Sequence, residues 1–173
     1  EIGQRIEPEN KDVTAPIKKT AIFVDVQNIY YTCRDRYSRQ FNYRALMEKI
    51  QSQAIVVQAF AYAIHRGDER QLKFQNALKQ IGFTVKLKPY IQRSDGSAKG
   101  DWDVGICIDV LDMADNVDEI VLLSGDGDFD LLLEKIRRDK GVTATVYGVE
   151  GLTSKSLIDS STHYVPIDEE FLL

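Results

Sequence analysis

Histidine and cysteine are scarce in this chain, and the scarcity removes several kinds of chemistry. With two histidines in 173 residues and no serine at a strand-to-helix elbow, a hydrolytic triad has no support. The two cysteines, Cys33 and Cys107, stand far apart and outside any paired motif. That excludes a disulfide framework and reads as reduced thiols in a cytoplasmic protein. No apolar run approaches membrane-spanning length and no signal-peptide core precedes the first strand, so no membrane partner is expected. The sequence GxxxxGK[ST] is absent, which removes the P-loop NTPases. The chain opens on Glu1 rather than Met, as a fragment or trimmed chain would. Internal repeats and low-complexity segments are also absent.

What remains is a chain of 43% hydrophobic content, long enough for one well-buried domain. Its net charge of −5 is unevenly spread, because eleven of the 27 acids fall within residues 95–130, against Lys99 alone. The rest of the chain is therefore mildly basic. An acidic block in a basic frame suits metal ions within the block and phosphates outside it, although a solvated helix face accounts for part of the block.

Residues 1–19 carry Pro8 and Pro16 without periodicity and read as a flexible N-terminal segment. From residue 20 to 167, apolar strand patterns alternate with helical ones, and 168–173 form a C-terminal tail. The strands are Ala21–Val26, Ala54–Ile64, Phe83–Pro89, Ile120–Leu123, Thr143–Tyr147 and His163–Val165. Helices are predicted from Ile29 to Tyr37, Tyr43 to Gln51, Asp68 to Gly82, Lys99–Asp103 to Ala114, Phe129 to Arg138 and Ser154 to Ser160. Asp68 with Gln71 reads as a capping box. The segment Phe83–Pro89 reads as a protected edge strand with Phe83, Val85 and Leu87 on one face and Lys86 and Lys88 on the other, and Gln92–Ser97 reads as a polar loop. Such alternation gives an α/β fold of three layers, α/β/α, around a mostly parallel sheet. The strands ending near Asp25 and Asp126 are the most apolar and are expected side by side at its centre, where strand order reverses.

The stretch Ile-Val-Leu-Leu-Ser-Gly-Asp-Gly-Asp-Phe-Asp, Ile120–Asp130, concentrates the chemistry. A buried strand breaks at Ser124-Gly125-Asp126-Gly127-Asp128, and the glycines are expected to let the backbone turn and bring the carboxylates together. Ionised carboxylates held close need a cation or a shared proton. Asp25 ends the first strand and Asp103 lies in the first turn of the intervening helix, so both are expected to join Asp126 and Asp128. Asp109 points away from that face. As single residues, Asp103 reads equally as a first-turn acid, and Asp128 or Asn28 as a helix cap. Together the acids suit Mg²⁺ or Mn²⁺ and attack of water on a phosphodiester. An EF-hand fails because Leu131 replaces the turn glycine and Arg137 the last glutamate.

Three blocks carry a family resemblance: Phe23-Val24-Asp25-Val26-Gln27-Asn28, Lys99-Gly100-Asp101-Trp102-Asp103 and Ser124-Gly125-Asp126-Gly127-Asp128-Phe129. They resemble the signature blocks of the NYN-domain family, LabA-like branch, within the PIN-like nuclease superfamily. The resemblance implies a PIN-like sheet and a metal-dependent ribonuclease acting on single-stranded RNA. It makes Asp25, Asp103, Asp126 and Asp128 catalytic metal ligands for Mg²⁺ or Mn²⁺, with Asn28, Ser124 and Asp101 supporting them. Lys99 would contact substrate phosphate, and a homo-oligomer is left open. Two alternatives stand beside this. One is an RNA- or partner-binding regulator without turnover. The other is a haloacid-dehalogenase-like phosphatase, against which Gln27 stands where that family needs a second acid. For RNA contact the candidates are Arg34, Arg36 and Arg39 with Tyr30, Tyr31 and Tyr37, and separately Arg66, Arg70, Lys86, Lys88 and Arg93. An ordinary solvated surface explains many of these equally well.

Overall fold

A computed structural model describes residues 17–89, 91–92 and 98–173. Most of the segment read as flexible, 1–16, lies outside the described residues, as do Arg93 and the middle of the polar loop. The chain runs β1 (Lys19–Asp25), α1 (Val26–Tyr37), α2 (Tyr43–Gln51), β2 (Ile55–His65), α3 (Glu69–Ile81) and β3 (Thr84–Pro89). A small antiparallel pair follows, β4 (Ile91–Gln92) with β5 (Ala98–Lys99), which the sequence pattern did not announce. Then come α4 (Asp103–Ala114), β6 (Glu119–Leu123), α5 (Asp130–Lys140), β7 (Thr143–Gly148), α6 (Lys155–Ser160) and β8 (His163–Pro166).

The main sheet has six strands, all parallel, in the order β3-β2-β1-β6-β7-β8. The two most apolar strands are indeed neighbours, Ile22 lying beside Val121 and Val24 beside Leu123. From β1 the chain steps outward through β2 to β3, and from β6 it steps the other way through β7 to β8. Right-handed crossovers then force opposite faces upon the two sets of helices. Accordingly α1, α2 and α3 cover one face with Ile29, Leu46, Met47 and Leu78 against Ile22, Val24 and Val121. On the other face α4, α5 and α6 pack Ile106, Val110, Leu133, Ile136 and Leu157 against Phe23, Ile120 and Leu122. Strands buried on both faces need the continuous apolar runs these two possess.

Several local readings shift for identifiable reasons. Helix α1 begins at Val26 rather than Ile29, with Asp25 at its cap position. Asp68 does accept the Gln71 amide at 2.8 Å, yet Gln71 turns back to the Arg66 amide rather than to Asp68, so only half the capping box forms. The strand β3 is an edge, as expected, but Leu87 is 40% exposed and Lys86 is not free in solvent. Its ammonium pairs with Asp109 on α4 at 2.6 Å, and Tyr62 donates to the same carboxylate at 2.7 Å. The C-terminal residues 168–173 are packed: Phe171 is buried against Tyr147, and its carbonyl accepts the Asn42 amide at 2.7 Å.

At the amino end of the central strands, Glu119 is 8% exposed and ties three strands together. It accepts from Thr20 at 3.1 Å and Thr145 at 2.7 Å, with Lys18 at 3.1 Å supplying charge. Glu119→Ala would leave two buried hydroxyls without their acceptor. The expected cost is about 1–3 kcal/mol, read from urea unfolding midpoints. An unchanged midpoint would show that these hydroxyls find other partners.

Candidate active site

The carboxyl ends of β1 and β6 deliver the acids, and the topology reverses between these two strands. In open α/β sheets that crevice is where ligands bind. Asp25 is the last residue of β1, Asp126 and Asp128 follow β6, and Asp103 opens α4. All four therefore sit at one end of the sheet. Side-chain oxygens of Asp103, Asp126 and Asp128 lie within 4.8 Å of one another.

Asp25 is not among the three whose oxygens converge, and it is linked to Asp126 through Ser124. The wholly buried Ser124 donates to Asp25 Oδ2 at 3.1 Å, and the same hydroxyl accepts the Asp126 amide at 3.1 Å. Asn28 is not a cap: its Oδ1 accepts the Gly125 amide at 2.9 Å and fixes the Ser124–Gly125 peptide, one residue ahead of Asp126. The cap of the short 3₁₀ turn Gly127–Phe129 is Asp126, which accepts the Asp128 amide at 2.9 Å, so Asp128 is not the cap either. Asp101 Oδ1 receives the Asp103 amide at 3.2 Å and holds the start of α4. Lys99 lies on β5, and its side chain is outside the described residues.

Crowding shows in the proton affinities. Burial, more than anything, pushes the Asp103 carboxyl up to about 7, with the charges of Asp126, Asp101 and Asp25 adding to it. Burial likewise raises Asp25 to about 6; the Ser124 and Asn28 hydrogen bonds oppose the rise, and Asp126 and Asp101 reinforce it. Without a cation, the cluster relieves its repulsion by holding a proton. The donor set is three carboxylate oxygens, and hard divalent ions take oxygens at about 2.0–2.6 Å. Opposite ligands on such an ion are about 4–5 Å apart, so the observed spacing fits one with little adjustment.

The glycines serve this site differently from the expectation. Neither Gly125 nor Gly127 is among the positive-φ residues, so neither is required for a turn. At Gly125 a Cβ would overlap the carbonyl oxygen of Leu152, and Ser154 donates its amide to the Gly125 carbonyl at 2.9 Å. The segment after β7 thus lies directly against the acidic loop, a contact with no local sequence signal besides Gly148 and Gly151. Among the cations considered for substrate, Lys86 is held by Asp109, while Arg39 pairs with Glu169 and Lys88 lies over the Trp102 ring at 4.4 Å.

A parallel sheet with this strand order and acids gathered where it reverses defines a PIN-like α/β protein. The chain belongs to the NYN domain family, whose sequence pattern matches residues 19–168. It is 30% identical over 162 residues to Low amplitude and bright protein LabA of Synechococcus elongatus, covering 87% of this chain and 84% of that protein. A protein of unknown function from Vibrio parahaemolyticus has the same fold in its crystal structure, with a TM-score of 0.87 and 52% identity. That similarity covers 91% of this chain and 97% of the other. Among the described residues, no helix is long and apolar enough to cross a membrane.

Proposed function

We propose that this protein is a divalent-metal-dependent ribonuclease that hydrolyses single-stranded RNA in the cytoplasm. The observation that carries the reading is the convergence of Asp103, Asp126 and Asp128 at the switch point of a NYN-domain sheet. These three would hold Mg²⁺ or Mn²⁺, and Asp25, held by Ser124, would complete the acidic wall behind them. Such an ion supplies Lewis-acid polarisation of the scissile phosphate and lowers the pKa of water. Ser124 is no nucleophile, being fully buried and committed to Asp25. In the proposed reaction water attacks the phosphorus directly, and the PIN-like relationship implies 5′-phosphate products. Asn28 and Ser124 keep the acidic loop in place, and Lys99 would meet a substrate phosphate.

The test is incubation of end-labelled single-stranded RNA with Mn²⁺, with Mg²⁺ and with chelator. Cleavage that needs metal supports the proposal. RNA binding without cleavage favours a regulator without turnover, and hydrolysis of a small phosphomonoester alone favours a phosphatase.

Metal binding has its own readout. An ion that binds only the native state at about 100 times its Kd adds about 2.7 kcal/mol, or a rise of several degrees in Tm for a chain of this size. Bound metal needs ionised ligands, so the rise should be larger at about pH 8 than at about pH 5.5. A melting temperature unmoved by Mn²⁺ at both pH values, in folded metal-free protein, would remove the ion from the proposal.

A further inference from the structure

Beside the acidic cluster, on the face covered by α1, α2 and α3, the surface opens into a cavity of about 950 Å³. Ligand sites commonly occupy about 300–1,000 Å³. Its lining includes Val26 and Gln27, the two residues that follow Asp25 in the chain. Two sequence groups that read as separate meet in it: the tyrosines of α1 and the cations around the start of α3.

The lining is mostly apolar and aromatic within, with Tyr30 half exposed over it and Phe74 facing from α3. Its charged residues are overwhelmingly of one sign. Arg44, Arg66, Arg70 and Lys73 contribute cations, and Asp68 is the single acid among the lining residues. That acid is committed, since its carboxylate accepts the Gln71 amide at 2.8 Å to cap α3. In a chain of net charge −5, such a local positive excess beside a row of carboxylates is a contrast that one ligand satisfies. The ligand must carry a flat apolar ring for the aromatic wall and an anionic linkage for the rim. Single-stranded nucleic acid has both, and aromatic stacking with flanking cations is how proteins hold it.

We propose that this cavity is the base-binding subsite of the ribonuclease, taking an unstacked base of single-stranded RNA while Arg70 and Lys73 meet its flanking phosphates. The assignment rests on the function proposed above for the acids. Duplex RNA does not fit it, because a paired base cannot leave its stack to enter the cavity without loss of pairing.

The experiment is fluorescence anisotropy of a short labelled single-stranded RNA in chelator, so that binding is read without turnover. The variants are Tyr30→Ala and the pair Arg70→Ala with Lys73→Ala, all at exposed positions outside the acidic cluster. Tyr30→Ala should weaken binding about ten-fold, as loss of one stacked base does. The double variant should also flatten the dependence of log K on log salt by about 1.4, a change that a general loosening of the fold would not produce. Wild-type affinity in both cavity variants overturns the assignment, and so does equal affinity for duplex RNA or no binding by the wild type. A wild-type dimer that Tyr30→Ala converts to monomer overturns it as well, since a second copy would then occupy the cavity. Parallel cleavage with Mn²⁺ separates the two proposals. Binding lost in the variants by a protein that never cleaves upholds the cavity and refutes the nuclease. Cleavage by a wild type whose cavity variants bind normally does the reverse.

Discussion

Asp126→Asn should abolish metal-dependent RNA cleavage and yet leave the metal-free protein more stable than the wild type. Asparagine keeps the Oδ1 atom that accepts the Asp128 amide at 2.9 Å, and it is as good a cap as aspartate. The local fold therefore persists, and what disappears is one negative charge. In the proposed reaction that charge helps hold the ion. Charge stabilisation by a metal is worth several kcal/mol at the transition state, so the rate should fall at least about a hundred-fold. In metal-free protein the same charge raises the carboxyls of both Asp103 and Asp25. Its removal relieves repulsion, and about 1 kcal/mol of relief would raise Tm by about 2–4 °C. The checks are cleavage rates with Mn²⁺ and melting curves in chelator and in Mn²⁺. A metal-free variant that melts lower than the wild type would show that the carboxylates do not crowd. Cleavage equal to wild type would place the activity elsewhere.

The central pair of strands and the shared end of the acids were legible because both depend on local pattern. Ile120–Leu123 and Ala21–Val24 are apolar without interruption, and only the middle of a parallel sheet buries such runs on both faces. Once they are neighbours, the residues that end them must meet. The finer geometry was not legible because it depends on contacts between distant segments. Asp25 is not one of the converging three, and one of its oxygens accepts from Ser124, ninety-nine residues away. Asn28 looks like a cap in sequence and is instead the acceptor for Gly125, ninety-seven residues on. Lys86 alternates outward along β3, yet α4 crosses to place Asp109 against it. The cavity was hidden for the same reason, since its aromatics and cations come from different helices that only the fold aligns.

Gly125→Ala should destabilise the protein and weaken its metal response far more than Gly127→Ala, although the two glycines look equivalent in the sequence. Neither has positive φ, so a methyl group meets no conformational penalty at either, and the difference lies in what each Cβ would touch. At Gly125 it would strike the Leu152 carbonyl oxygen and come within 3.2 Å of the Thr153 Cα, both main-chain atoms that cannot rotate away. At Gly127 the nearest atom is the Ser154 hydroxyl at 2.6 Å, which can turn aside at the loss of its contact with Ser156, and the nearest fixed atom is the Ser154 Cβ at 3.1 Å. Overpacking against fixed backbone costs about 1–3 kcal/mol, or several degrees in Tm. The strain falls on the two peptides that flank Gly125, the first held by Asn28 and the second, which leads into Asp126, by Ser154. The Mn²⁺-induced rise in Tm should shrink along with stability in Gly125→Ala. In Gly127→Ala reduced freedom of the unfolded chain offsets part of the cost, and the expected net change is within about 1 kcal/mol. Melting both variants with and without Mn²⁺ decides the matter. If Gly127→Ala proved the more damaging, the close approach of the segment after β7 would not be what holds the acidic loop.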